Sequence, residues 1–343
     1  VKQSPKHRED VNVNSTVSRL IAACLSLLAS LLAAAPAAAQ QTAGDKYPNK
    51  PIHLIVGFAA GGGNDIIARI VGQKLQDSLG QTVIVENRVG AGGRLSAEYV
   101  AAQPPDGYTL LVGASGAMAV SPAVVAGVPY VTLRDFAPIS MMASFPLIMV
   151  VGADHPAKSV KELVAWAKAN PDKANYATSS TAFTLATELF KLKSGAPMVP
   201  IPYRSSNESV VSVMAGQSTL TIADPPPTAP QVTSGKVRGL AVTAAERLED
   251  LPDVPTMDEQ GYPDVHVQLW SGIFAPAKTP PAVIKTLETE LQRIMQMPDV
   301  KERFKAMATR TVGSNAADFA KVIEAETHMW ANVAKEANLK FEQ

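Results

Sequence analysis

The chain has 343 residues, 46% of them hydrophobic and 18% charged, with 31 basic against 31 acidic side chains. That length suffices for two domains of ordinary size, each with its own buried core. A formal net charge of zero, with no basic run interleaved with aromatics, excludes binding led by nucleic-acid phosphates or by an acidic membrane surface.

At the N-terminus, Lys2, Lys6, Arg8 and Arg19 precede the apolar stretch LIAACLSLLASLLAAA, and small residues follow in APAAAQ. A basic start, an apolar core of about 15 residues and an A-x-A-like site make a secretory signal peptide over residues 1–39, cleaved after Ala39. The apolar run is short for a bilayer span, and no other segment offers 18 apolar residues in succession. Cys24, the sole cysteine, stands in IAAC, which superficially matches a lipoprotein acylation site. Only four apolar residues separate it from Arg19, however, and the apolar run continues well past it. Without residues 1–39 the chain has no cysteine, hence no disulfide, no thiol nucleophile and no cysteine metal site. It then carries 27 basic against 29 acidic side chains.

From Tyr47 onward, short β-branched runs alternate with helix-length segments. The strand IHLIV leads through AAGGGN into DIIARIVGQKLQDSL, where Ile67, Ile70, Val71, Leu75 and Leu79 recur at helical spacing. The strand TVIVE, the glycine turn VGAGG, a helix around LSAEYVAA and the strand YTLLVG follow. After a linker-like stretch the rhythm resumes with PLIMVVG, SVKELVAWAKAN, ANYAT, a helix through TLATELFKLK, MVPIPY, a helix near ESVVSVMAG, and STLTIAD. A proline-broken segment, VRGLAVT, LWSGIFAPA and three closing helices complete the chain. Strand–helix–strand alternation builds parallel sheets, so the fold class is α/β. Two similar halves meet near residues 140–150. This suggests two lobes joined by crossing strands near Ser140–Val150 and Gln268–Ala275, although two sequential domains would give the same periodicity.

The glycine loop places backbone N–H groups and a helix N-terminus at one point, where a carboxylate or phosphate is favoured. No G-K-[ST] follows, so it is not a P-loop. Ile66 occupies the place of the third small residue of a dinucleotide fingerprint, although Glu86 stands where a ribose-binding acid would. The alternative is a tight turn whose glycines only permit positive φ. Asn64 suits an N-cap. Asp65, in the first turn, would compete with an anion for the same helix end, so it should point away or meet a donor. A second candidate is ATSSTAFT, residues 177–184, whose Thr178, Ser179, Ser180 and Thr181 offer hydroxyls or a plain helix cap. A third loop, GASGAMA, carries Ser115 outside any G-x-S-x-G elbow. Arg204 and Asp224 end strands, where α/β proteins bind ligands. His53, His155, His266 and His328 are not spaced for a metal, and no Ser–His–Asp set is evident. Two anion-ready loops with few titratable groups describe a binder rather than a catalyst. No metal and no cofactor is expected.

The segments YPNKPIHLIVGFAAGGGNDIIAR, VIVENRVGAGG, PPDGYTLLVG, GKVRGLAVTAAER, LPDVPTMDEQG and FAPAKTPPAVI resemble the tripartite tricarboxylate transporter receptor family, the Bug proteins. The likeness runs in order from about Tyr47 to the C-terminus. It implies a two-lobed periplasmic-binding-protein fold of the second type with two crossing hinge strands. Residues 46–145 and 269–343 would form lobe 1 and 146–268 lobe 2. It further implies a monomeric periplasmic receptor that captures a small carboxylate and passes it to integral membrane permease subunits, or alternatively presents it to a sensor kinase. The matching ligand positions are Phe58, Ala60, Gly61, Gly62, Gly63, Asn64 and Asp65, with Ser115 and Ala117 in the next loop. In the second lobe they are Thr178, Ser179, Ser180, Thr181, Arg204 and Asp224. Three departures stand out: Ala60 replaces the usual proline, SSTAFT lacks the usual glycines and inserts Phe183, and Arg204 replaces a lysine. A guanidinium fork and a ring face would suit a flat or extended ligand, an aromatic or dicarboxylic acid.

Overall fold

The computed structural model describes residues 47–336, with Val1 alone ahead of them. The expected signal peptide, its cleavage after Ala39 and Cys24 lie outside the described residues. The described residues from Tyr47 onward belong to one compact unit.

Strands β1 (Ile52–Val56), β2 (Val83–Asn87), β3 (Thr109–Ala114), β4 (Phe136–Pro146), β10 (Gln268–Pro276) and β11 (Arg310–Thr311) make one sheet. Its order is β11-β4-β10-β3-β1-β2. The second sheet has β5 (Ile148–Gly152), β6 (Asn175–Thr178), β7 (Val199–Pro202), β8 (Leu220–Ala223) and β9 (Val237–Val242) in the order β7-β6-β8-β5-β9. Both sheets share one plan. A parallel trio, β2-β1-β3 or β7-β6-β8, is flanked by an antiparallel strand, β10 or β5. The chain changes sheets directly between Pro146 and Ile148, and again through the segment between Val242 and Gln268.

Thr243 ties these crossings together. Its buried hydroxyl accepts from Leu147 N at 2.8 Å and donates to Val267 O at 2.6 Å.

The helices explain how each trio is covered. Helix α1 (Gly63–Leu79) buries Ile67, Ile70, Val71 and Leu75, the stripe expected from their spacing, and ends at Gly80 with φ 65°. Helices α2 (Arg94–Ala101), α3 (Val160–Ala169), α4 (Thr181–Ser194) and α5 (Ser206–Met214) follow the same logic. Serine hydroxyls at positions 159, 180 and 205 cap α3, α4 and α5 by accepting N–H bonds from Glu162, Phe183 and Glu208.

The segment read as proline-broken is instead a helix, α6 (Pro225–Thr233). Pro225, Pro226 and Pro227 occupy its first turn, where backbone N–H groups have no intrahelical acceptor and proline's fixed φ fits. The GASGAMA loop likewise continues as helical turns over Gly116–Val120 and Ser121–Val124. The chain closes with α7 (Pro281–Gln296), α8 (Pro298–Lys305) and α9 (Ala316–Glu336). No helix of the described residues is long and apolar enough to cross a membrane.

Candidate ligand-binding site

The carboxyl ends of β1, β3, β6 and β8 converge where the two sheets face each other. Ligands of α/β proteins sit at such ends. The cleft is shut here. Ser121 Oγ donates to Thr181 Oγ1 at 2.9 Å, Ala59 N to Arg204 O at 3.2 Å, and Gly63 N to Ser206 Oγ at 3.4 Å. What remains is a cavity of about 20 Å³, room for a single water molecule.

Among the expected residues, Phe58, Gly63, Asn64 and Ser115 line this cavity from the first sheet's side, and Ser179, Ser180 and Asp224 from the second. Phe183 both lines the cavity and belongs to the apolar core. Asn64 is not the N-cap of α1; that position falls on Gly62, which has no capping side chain. The buried hydroxyl of Ser271 donates to Asn64 Oδ1 instead. This fixes the amide so that its Nδ2 donor is left for the cavity that Asn64 lines.

Two lining groups are buried without any partner: Ser179 Oγ and Asp224 Oδ1. Burial pushes the Asp224 carboxyl up to about 6, against a smaller opposing pull from Ser206, and among the described residues no cation pairs with it.

The remaining expected residues are held elsewhere. Gly61, at φ 81°, and Gly62 approach the second lobe: a Cβ on them would meet Asn207 Nδ2 at 3.5 Å and Ser205 Cβ at 3.1 Å. Ala60 is exposed on the loop. Ala117 packs in a core cluster behind the site, its carbonyl accepting from Tyr130 OH at 2.6 Å. Thr178 shares a 2.9 Å hydrogen bond with Thr184, and Thr181 makes the cross-cleft bond to Ser121.

Asp65 turns away from the cavity. It accepts from Gly61 N at 2.9 Å, from Asn87 Nδ2 at 2.8 Å and from the Arg69 guanidinium. Burial raises its carboxyl, but the bonds from Arg69, Gly61 and Asn87 outweigh that and hold it below the usual carboxylate range. The expected anion cradle is therefore internally satisfied in this form: the amides of Gly61, Gly62 and Gly63 bond Asp65, Ala59 O and Ser206.

Arg204 also departs from expectation. Its guanidinium, 74% exposed, forks onto Glu208 one helical turn on, and the hydrogen bonds it donates to that carboxylate raise its pKa further. An arginine at a strand end was read as a ligand fork. The glutamate four residues later, at i, i+4 spacing, was the signal against that reading.

Sequence reasoning missed Ser206, Phe145, Leu269 and Trp270, which also line the cavity. Phe145 and Leu269 pair with each other on the crossing strands. Their place was discoverable, because alternate side chains of a strand passing between two lobes must face the cleft.

A shut cleft between two α/β lobes of like topology, lined by polar side chains from both, defines a periplasmic-binding-protein fold of the second type. Within that class the chain belongs to the tripartite tricarboxylate transporter receptor family, whose profile it matches over residues 67–339. It is 35% identical over 328 residues to BugT of Bordetella pertussis, covering 95% of this chain and 99% of that one. A structure from R. palustris solved with adipate superposes with a TM-score of 0.83 at 30% identity, covering 87% of this chain and all of its own. MatC from Rhodopseudomonas palustris, with bound malate, gives 0.81 at 27% identity, covering 84% and 99%.

Proposed function

We propose that the chain is a periplasmic receptor that closes its two lobes over a small carboxylate and hands it, unchanged, to a membrane permease. The observation that carries this reading is the cavity itself. Asn64 lines it from one lobe and Ser179 and Ser180 from the other, three side chains able to donate hydrogen bonds, and the Ser179 hydroxyl has no protein partner. Donors of this kind hold a carboxylate without a formal cation.

Asp224 is the one ionisable side chain among the lining residues. A single buried acid provides no acid–base pair for turnover, which supports capture and release. It also favours a ligand that offers Asp224 a donor, such as a hydroxyl or a protonated second carboxyl. The adipate and malate bound by relatives are dicarboxylates, and malate carries such a hydroxyl. With room for only one water, entry of a dicarboxylate requires the lobes to part, so binding and lobe motion are one event. The basic, apolar and small-residue sequence of residues 1–39 supports export.

A thermal-shift panel of aliphatic and aromatic carboxylates, amino acids and neutral sugars tests the reading. A carboxylate at a hundred times its Kd should add about 2.7 kcal/mol of stability, a shift of several degrees. No shift with any carboxylate, alongside a shift with a sugar, would overturn it.

A further inference from the structure

A second cavity, of about 840 Å³, lies behind the crossing strands. The ladder between β4 and β10 shows why. Leu269 pairs with Phe145, and Gln268 with Pro146. Neighbouring strand positions face opposite ways. Phe145 and Leu269 accordingly line the cavity between the lobes, whereas Ser144, Pro146 and Gln268 line the rear one. The rear walls come from both lobes, from Thr243 to Asp250 on one side and from Lys305, Arg310 and Trp330 on the other.

Its size falls within the range of small-molecule sites, and much of its wall is apolar, with Ala245, Leu248, Ala308, Met329 and Trp330 contributing. Three cations, Lys301, Lys305 and Arg310, line it beside three carboxyl groups, Glu249, Asp250 and Glu326. Lys305 already holds Glu249 at 2.7 Å, and His266 is paired with Asp258. The guanidinium of Arg310 has no carboxylate partner among the described residues, and the buried indole N–H of Trp330 has no acceptor. Glu326 also lines the cavity and accepts from Trp270 Nε1 at 2.8 Å. Burial pushes its carboxyl up to about 7, so it gives up its charge readily beside an anion. Trp270 also borders the front cavity, where its backbone N–H donates to Ser115 Oγ at 3.4 Å, so one residue bonds to a wall of each.

We propose that the rear cavity is a second small-molecule site, for an anion with an apolar body, its carboxylate or sulfonate held by Arg310 and its hydrocarbon part against Leu248, Met329 and Trp330. Because the crossing strands lie between the cavities, parting the lobes in front brings the rear walls together. A rear occupant therefore favours the closed form, and closure in turn tightens rear binding.

The probes are 8-anilinonaphthalene-1-sulfonate, read by fluorescence, and octanoate as its competitor. The expected result is saturable binding of one dye per chain, displaced by octanoate, and weakened at least tenfold both in Arg310→Ala and in Ala245→Trp, whose ring takes up part of the cavity. Both positions are exposed, and unchanged melting temperatures would show that the fold is intact. In a Ser121→Cys/Thr181→Cys variant, oxidised to hold the cleft shut, octanoate should bind at least threefold tighter than in the reduced form. Unsaturable dye binding, or equal binding by both rear variants and the parent, would overturn the site. Equal octanoate affinity in the oxidised and reduced forms would overturn the coupling.

Discussion

Gly63→Ala isolates lobe closure from folding. Gly63 opens α1, and a Cβ there would lie 1.7 Å from Asp224 Oδ2 and 2.7 Å from Asp224 Cγ, whereas real Cβ contacts essentially never fall under 3.0 Å. Asp224 belongs to the other lobe and is 2% exposed, so it has little space into which to retreat. The clash exists only when the cleft is shut. Overpacking of this kind costs about 1–3 kcal/mol, which converts to a loss of roughly 5–150-fold in ligand affinity. The open form loses nothing, since alanine is at least as good a helix former as glycine and Gly63 stands at the first helical position. The ligand-free melting temperature should thus hold or rise while calorimetric affinity for the carboxylate chosen by the thermal-shift panel falls. Wild-type affinity in Gly63→Ala would show that the ligand is not bound in this closed arrangement.

Asp224 predicts a pH dependence. Its carboxyl is raised from 3.8 to about 6 in the closed form, so ionisation opposes closure. Below about pH 4 the group is protonated in either form and costs nothing. Through the window up to about 6 the closed form keeps a proton that the open form releases, and above it the full cost of about 3 kcal/mol stands. The affinity of the parent relative to Asp224→Asn should therefore fall as pH rises through that window; a ratio independent of pH would remove Asp224 from the closure step. Arg204→Ala should leave affinity within about twofold, because that side chain is engaged with Glu208 at the surface; a tenfold loss in titration calorimetry would return it to the site. Ser271→Ala should weaken binding by about 0.5–1.5 kcal/mol through the released Asn64 amide, and should have no further effect in an Asn64→Ala background; additive losses in the double variant would refute the positioning role.

Local structure was legible wherever one element decided it. The stripe of Ile67, Ile70, Val71 and Leu75 announced α1, and glycines at a strand–helix junction announced the turn that leads into it. Pro225–Thr233 was misread because three successive prolines usually end a helix, yet in a first turn they cost nothing. Cavity-lining residues within one lobe's loops, such as Ser179, Ser180 and Asp224, could be placed from strand ends alone. Arg204 and Asp65 are committed to partners one helical turn on, Glu208 and Arg69, a spacing the sequence carries, whereas the Asn87 bond to Asp65 spans 22 residues and no local pattern shows it. Asn64 was found for the wrong reason: its partner is Ser271, 207 residues away, and no local pattern predicts a bond of that span.

The most direct measurement is calorimetric titration of the purified chain with the best carboxylate of the panel, repeated on the Asn64→Ala/Ser180→Ala variant. Interlobe capture predicts one ligand per chain and at least a hundredfold weaker binding in the variant. Full-strength binding by the variant would place the carboxylate elsewhere and contradict the account.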